Sequence, residues 1–122
     1  MTIAAFRKLA RQIPNAVELA HMNHPDFRVA GKIFATLGYP DENWGMVKLT
    51  PERQRALVRK SPAVFKPCHG AWGRMGATHV HLAAAKPAEL RVALTAAAKN
   101  VAASVAKKRP TKKVGRRVPR PR

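Results

Sequence analysis

The side chains best suited to chemistry lie in the second half of the chain: Cys68, His69, His79 and His81. His79 and His81 are two residues apart in a predicted strand, so they project from one face, as paired metal ligands would. Structural zinc usually takes four ligands with Cys-x2-Cys or His-x3-His spacing, and this chain has one cysteine. A Cys–His nucleophile needs an orienting third group, and Glu89 is the one carboxylate in this half. We therefore expect no metal, no cofactor and no catalytic cysteine.

Other common catalytic arrangements are also missing from the sequence. Asp41 and Glu42 share a predicted turn, and the other carboxylates are scattered, so no acid–base pair is indicated. The glycines Gly70, Gly73 and Gly76 recur every third residue, but the Lys-Ser/Thr of a phosphate-binding P-loop does not follow them. We expect a protein that is not an enzyme.

Positive charge is the strongest functional signal. The 122 residues carry 24 lysines and arginines against six carboxylates, a net charge of +18. The last 16 residues hold no carboxylate, and the other 106 are basic as well. Such a charge attracts polyanions, nucleic acid first. The cations of the last 16 residues are Lys107, Lys108, Arg109, Lys112, Lys113, Arg116, Arg117, Arg120 and Arg122.

Residues 107–122 are predicted to form a disordered tail. The segment contains three prolines and a glycine and has no apolar period, and its like charges repel one another. Lysines and arginines of this kind neutralise phosphates without reading sequence, so we expect nucleic-acid contact, with DNA favoured over RNA. The alternative is a tail that only keeps the protein soluble. No aromatic or aliphatic anchor accompanies the charges, which argues against a membrane partner.

The folded part offers a second set of candidate nucleic-acid contacts. Five cations are expected on or beside the sheet face that the helices leave open, where they could lie along a phosphate backbone: Arg28, Lys32, Lys48, Lys66 and Arg74. Two aromatic side chains could stack on unpaired bases: Phe34, which alternates in step with Lys32, and Trp72. The alternatives are solvated cations, a Phe34 that fills a small second core and a Trp72 that covers the sheet edge.

The elements that must position these residues follow from periodicity. Residues 26–51 alternate apolar and polar side chains in three runs separated by turn residues, which predicts an antiparallel meander that ends at the helix cap Thr50-Pro51. Helices are predicted near the N-terminus, after Pro51 and after Pro87, with a short strand over residues 16–22 and one or two late strands. Residues 66–76 are predicted to be an irregular loop. The fold class is therefore α+β, a two-layer sandwich with helices on one face of an antiparallel sheet, in the order α-β3(4)-α-β2-α. The domain is assigned to residues 1–106.

Two groups of residues resemble the MmcQ/YjbR family: Asp26-Phe27-Arg28-Val29 with Gly31-Lys32-Ile33-Phe34-Ala35, and Ala71-Trp72-Gly73-Arg74 before the late strand. The resemblance covers roughly residues 3–104 and implies an α-β3-α-β2-α fold compared with frataxin-like and secretion-chaperone-like sandwiches. It also implies a DNA-binding role, given to family members largely by fold analogy. The basic tail is an addition of this chain to the family pattern.

Together these observations predict a DNA-binding protein with little sequence preference. The alternative is a module that receives an acidic protein or peptide on its sheet face. A single cysteine and a polar N-terminal segment favour a cytoplasmic location, at the nucleoid if DNA is the partner.

Overall fold

The structure is a computed structural model that describes residues 1–21, 23–38 and 41–108. In these residues the helices and strands follow the predicted order, with one additional short helix. The helices are α1 (Ile3–Arg11), α2 (Pro51–Lys60), α3 (Gly70–Arg74) and α4 (Pro87–Lys108). The strands are β1 (Val17–His21), β2 (His24–Val29), β3 (Lys32–Leu37), β4 (Trp44–Lys48), β5 (Phe65–Pro67) and β6 (Ala77–His81).

The strands form one sheet in the order β1-β2-β3-β4-β6-β5, and each neighbouring pair is antiparallel. The predicted meander is confirmed as β2, β3 and β4. Ala30 and Gly31 make the turn from β2 to β3 with φ of 55° and 79°, the two positive values that a type I′ hairpin requires. Thr50 caps α2 as predicted, because its hydroxyl accepts a hydrogen bond from the Arg53 N–H.

α4 packs across β2, β3 and β4, and α1 packs against α4. Phe6 of α1 meets Phe27 of β2 in the core, with ring centroids 6.1 Å apart. Leu90 and Leu94 of α4 are fully buried in the same core. The apolar stripe of α4 therefore covers the sheet, and the α+β class is confirmed.

Phe34 lies in the core and not on the open face of the sheet. β3 pairs with β2 through a bulge: Phe27 is opposite Ala35, but the next residue, Arg28, is opposite Ile33, which leaves Phe34 as the extra residue. Its ring has no solvent exposure. The predicted stacking role of Phe34 is therefore wrong, since a base cannot reach a fully buried ring.

The same register separates two cations that were expected on one face. Arg28 pairs with Ile33, whereas Lys32 pairs with Val29. Paired residues of antiparallel strands share a face and consecutive residues do not, so Arg28 and Lys32 project from opposite faces of the sheet. The sheet therefore does not present them as one basic face.

Residues 66–76 are more regular than predicted. β5 includes the first two of them, and α3 occupies Gly70–Arg74. Gly73 allows α3 to contact the preceding chain, because a Cβ atom at this position would lie 1.7 Å from the carbonyl oxygen of Cys68. The buried Gln54 side chain holds this region from α2: its amide nitrogen donates to the carbonyl oxygens of Gly73 and Ala77, both at 2.9 Å. α3 is thus fixed to the body.

α4 continues through Lys108, so Lys107 and Lys108 belong to this helix and not to an irregular tail. The remaining predicted tail contacts lie outside the described residues; they are Arg109, Lys112, Lys113, Arg116, Arg117, Arg120 and Arg122. None of the described helices combines the length and hydropathy of a bilayer-spanning segment.

Candidate nucleic-acid interface

Arg28, one of the cations predicted to contact phosphate, already forms an ion pair with a carboxylate. Its guanidinium donates to both oxygens of Asp26, at 2.8 and 3.1 Å. Asp26 is completely buried, and its hydrogen bond raises the pKa of Arg28. A bidentate pair of this kind uses one edge of the guanidinium, whose N–H donors a phosphate would otherwise need. Arg28 is therefore a weak candidate for phosphate contact.

Lys32, Lys48 and Trp72, which are far apart in the sequence, come together at one pocket of about 400 Å³. Lys32 begins β3, Lys48 ends β4, and Trp72 lies in α3. We call this site the Trp72 pocket. Arg74, at the end of α3, is exposed but does not line it.

A second basic surface, which the sequence analysis did not identify, lies between α2 and α4. Arg53 of α2 faces Arg91 and Lys99 of α4 across two adjoining depressions of about 330 and 600 Å³. All three side chains are exposed. We call this surface the α4 groove. Among the described residues, Glu52 is the one carboxylate that lines it.

The α4 groove and the Trp72 pocket are neighbours, because Asn100 lines both. Ser104, one turn further along α4, also lines the pocket. From Arg91 to Ser104 the helix rises about 20 Å, a length over which several phosphates of a DNA strand can be contacted. The arrangement can therefore follow a phosphate backbone over several nucleotides.

Sequence reasoning missed the α4 groove because it followed the apolar stripe of α4 and not the opposite side. Arg91 and Lys99 are eight residues apart, with alanines between and around them on the same side. That spacing, close to two helical turns, could have indicated a basic stripe. The contribution of Arg53 depends on how α2 packs and was not readable from the sequence.

Two of the histidines, His79 and His81 of β6, form an aromatic cluster with Trp44. Trp44 of β4 stacks on His81 with ring centroids 4.7 Å apart and meets His79 edge-on at 5.8 Å. Burial, followed by the nearby His69, lowers the pKa of His79, so this imidazole stays neutral to lower pH than a free histidine. Within the described ranges, no three His, Cys, Asp or Glu side chains gather closely enough to hold a metal ion.

Comparison with known proteins fits the resemblance seen in the sequence. The family model described as YjbR matches residues 11–97, most of the chain. The chain belongs to the YjbR family. The match includes the residues of the Trp72 pocket on β3, β4 and α3, together with Arg53 and Arg91, and it ends before Lys99.

The fold of this YjbR-family chain is also found in a solved structure. The chain is similar to the crystal structure of Deinococcus radiodurans protein DR2400, with its DUF419 domain, with a TM-score of 0.64 and 15% sequence identity. The alignment covers 93% of this chain and 83% of the DR2400 chain. No curated protein matches the sequence. At this identity the likeness extends to the fold alone.

Cys68, the one cysteine of this YjbR-family chain, should be chemically inert in the folded protein. It is 6% exposed, and burial raises the pKa of its thiol to about 11 from an ordinary value near 9.0. At pH 8 the thiolate fraction is then about 100-fold lower than in the unfolded chain, and the thiolate is the reactive form. We expect iodoacetamide to alkylate the native protein at least about 100-fold more slowly than the urea-unfolded protein, as followed by mass spectrometry. Equal rates in the two states would show that Cys68 is accessible and ionised.

Proposed function

We propose that this chain binds DNA, largely without sequence preference, through phosphate contacts. The cations of the α4 groove supply contacts from the folded domain, and the basic C-terminal residues add further electrostatic attraction. No catalytic step and no cofactor is part of the proposal. A DNA-binding role would place the protein at the nucleoid, in the cytoplasm.

The observation that carries the proposal is the exposure of Arg53, Arg91 and Lys99 along one continuous surface. Two cations of α1 instead lie beside a carboxylate: Arg7 is 2.6 Å from Glu18, and Arg11 approaches the same carboxylate at 3.9 Å. The three groove cations border depressions that also contain the small side chains Ala88, Ala96 and Ala103. Small side chains leave room for a sugar–phosphate backbone to approach the helix.

The composition of the surface also favours contacts without sequence readout. Lysine and arginine on an open groove contact phosphates, which carry no sequence information themselves. The net charge of +18 adds long-range attraction, which raises the association rate and depends strongly on salt.

Charge reversal in the groove tests the proposal. We expect Arg53→Glu/Arg91→Glu/Lys99→Glu to weaken binding to a labelled DNA duplex by about 10- to 100-fold near 0.1 M salt, because three phosphate contacts become repulsive. The slope of log affinity against log salt should flatten by about 2.7. Fluorescence anisotropy across a salt series measures both quantities.

The matched control is Lys8→Glu/Arg59→Glu/Lys60→Glu, which makes the same change in net charge at exposed positions outside the groove. We expect it to weaken binding no more than about threefold, since only the long-range field changes. Equal losses in the two variants would mean that total charge, and not this groove, determines affinity. If the wild-type chain bound no DNA at low salt but bound an acidic peptide, the peptide-binding alternative would replace the proposal.

A further inference from the structure

The Trp72 pocket has a lining that phosphate contact alone does not explain. Trp72 is 43% exposed and Met75 is 75% exposed, although both are large apolar side chains. Both border the same cavity, together with the apolar side chains of Ile33 and Val101. An open cavity with an aromatic ring at its edge can accept a flat apolar group by stacking.

The opposite part of the lining is cationic. Lys32 is exposed and Lys48 is half-buried, and both border the pocket. Burial lowers the pKa of Lys48, and the positive charge of Lys32 lowers it further. Two ammonium groups that share a partly desolvated cavity repel each other, and an anion between them would remove that cost.

Polar groups on α4 complete the pocket. The side-chain amide nitrogen of Asn100 donates to the carbonyl oxygen of Lys48 at 3.0 Å, which fixes the orientation of the amide. Ser104 adds a hydroxyl that can donate or accept. An amide and a hydroxyl at the edge of an apolar cavity can pair with the polar edge of an aromatic ring.

The platform that carries Trp72 is rigid. α3 is held by a hydrogen bond from Gln54 to the carbonyl oxygen of Gly73 and by the close approach of Gly73 to Cys68, and a second bond from Gln54 joins the start of β6. A stacking ring held in place loses little freedom on binding, which favours affinity. The exposure of Trp72 therefore results from the fixed position of α3 and not from a flexible segment.

We propose that the Trp72 pocket binds one nucleotide unit, with the base stacked on Trp72 and the phosphate between Lys32 and Lys48. The cavity of about 400 Å³ falls in the size range of small-molecule sites. The inference rests on the proposed function in one respect: a strand bound in the α4 groove, which meets the pocket at Asn100, would supply the unpaired nucleotide. A free mononucleotide has the same chemistry and is the other source of such a unit.

Single-stranded and duplex DNA distinguish this pocket from the groove. We expect Trp72→Ala to weaken binding of labelled oligo(dA) by about 10-fold, because a stacked base is lost. Binding of a blunt duplex should change less than about twofold, since paired bases cannot enter the pocket. Trp72→Tyr, which keeps a ring, should restore oligo(dA) affinity to within about threefold of the wild type.

Trp44→Phe is the matched control, because Trp44 stacks on His81 outside the pocket, and it should leave both affinities unchanged. Titrations with deoxyadenosine monophosphate and with inorganic phosphate show whether the pocket accepts a free nucleotide. The indole N–H signal of Trp72 in NMR spectra reports binding in each titration. A shift with the mononucleotide but not with phosphate supports a site that also accepts free nucleotide. A response to oligo(dA) alone supports a site that is filled only from a strand.

The inference is overturned if neither the mononucleotide nor oligo(dA) perturbs Trp72, or if Trp72→Ala affects duplex and single strand equally. If the protein binds duplex DNA but the Trp72 signal does not respond to either ligand, the proposed function remains intact. Failure of the wild-type chain to bind any DNA, with a mononucleotide still shifting the Trp72 signal, would reject the proposed function and retain the pocket. The two ideas therefore fail separately.

Discussion

Removal of the residues after Lys108 should reduce duplex affinity near 0.1 M salt on the order of a thousand-fold. The deleted segment carries seven of the 24 lysines and arginines and no carboxylate. If about five of them contact phosphates, the slope of log affinity against log salt should flatten by about 4.5, because each contact releases about 0.9 counterion. Ending the chain at Lys108 leaves α4 whole, so the folded domain is retained. Anisotropy titrations from low to high salt measure the affinity and the slope together.

Two tail variants separate charge from sequence. A chain with the seven cations changed to glutamine should bind like the truncated chain, although its length is unchanged. A chain with the same tail residues in scrambled order should bind like the wild type, since phosphate contact needs charge and not a motif. An undiminished affinity after truncation would assign all binding to the folded domain. A loss in the scrambled variant would instead indicate a specific contact.

The tail truncation and the groove substitutions are expected to change the slope of log affinity against log salt additively. α4 connects them, because it carries Arg91 and Lys99 and ends where the deleted segment begins. Contacts that do not touch usually contribute independently. The triple groove variant in the truncated chain should therefore flatten the slope by about the sum of the two separate changes. Such additivity would indicate that the tail and the α4 groove contact different phosphates.

Much of the fold could be predicted from local patterns. Alternation located β2, β3 and β4, and the period of Leu90, Leu94 and Ala97 located the buried side of α4. These signals are reliable because a half-buried strand and an amphipathic helix each expose one face to the core. The bulge at Phe34 could not be predicted, since one extra residue reverses the side on which a residue lies without changing the residue pattern.

The site was predicted less completely than the fold. Lys32, Lys48 and Trp72 were each named from the sequence, but their meeting depends on the pairing of β4 with β6 and on the position of α3. The glycine-rich segment before β6 was predicted as a loop, because glycine has low helix propensity. Tertiary contact overrides that propensity: α3 needs glycine where it approaches the backbone of Cys68.

Gly73→Ala should therefore be among the most destabilising single substitutions in this chain, at about 3 kcal/mol. The added Cβ would lie 1.7 Å from the carbonyl oxygen of Cys68 and 2.6 Å from its carbonyl carbon. Backbone atoms cannot rotate away as a side chain can, so α3 or the Cys68 segment must move. Movement of α3 also strains the bonds from Gln54 to Gly73 and Ala77, which are buried. Urea unfolding followed by circular dichroism gives the change in unfolding free energy.

Gly70→Ala provides the matched comparison, since it is the same change three residues earlier in the same helix. A Cβ at Gly70 meets nothing within 4 Å, although its φ of 68° is unfavourable for alanine. We expect it to cost about 1 kcal/mol, the usual penalty for a left-handed non-glycine residue. The difference between the two variants then isolates the steric contact at Gly73. Because α3 carries Trp72, Gly73→Ala should also lower oligo(dA) affinity in the folded fraction, whereas Gly70→Ala should not. Equal stability of the two variants would show that α3 can shift freely, and a freely shifting α3 could not hold Trp72 as a fixed stacking surface.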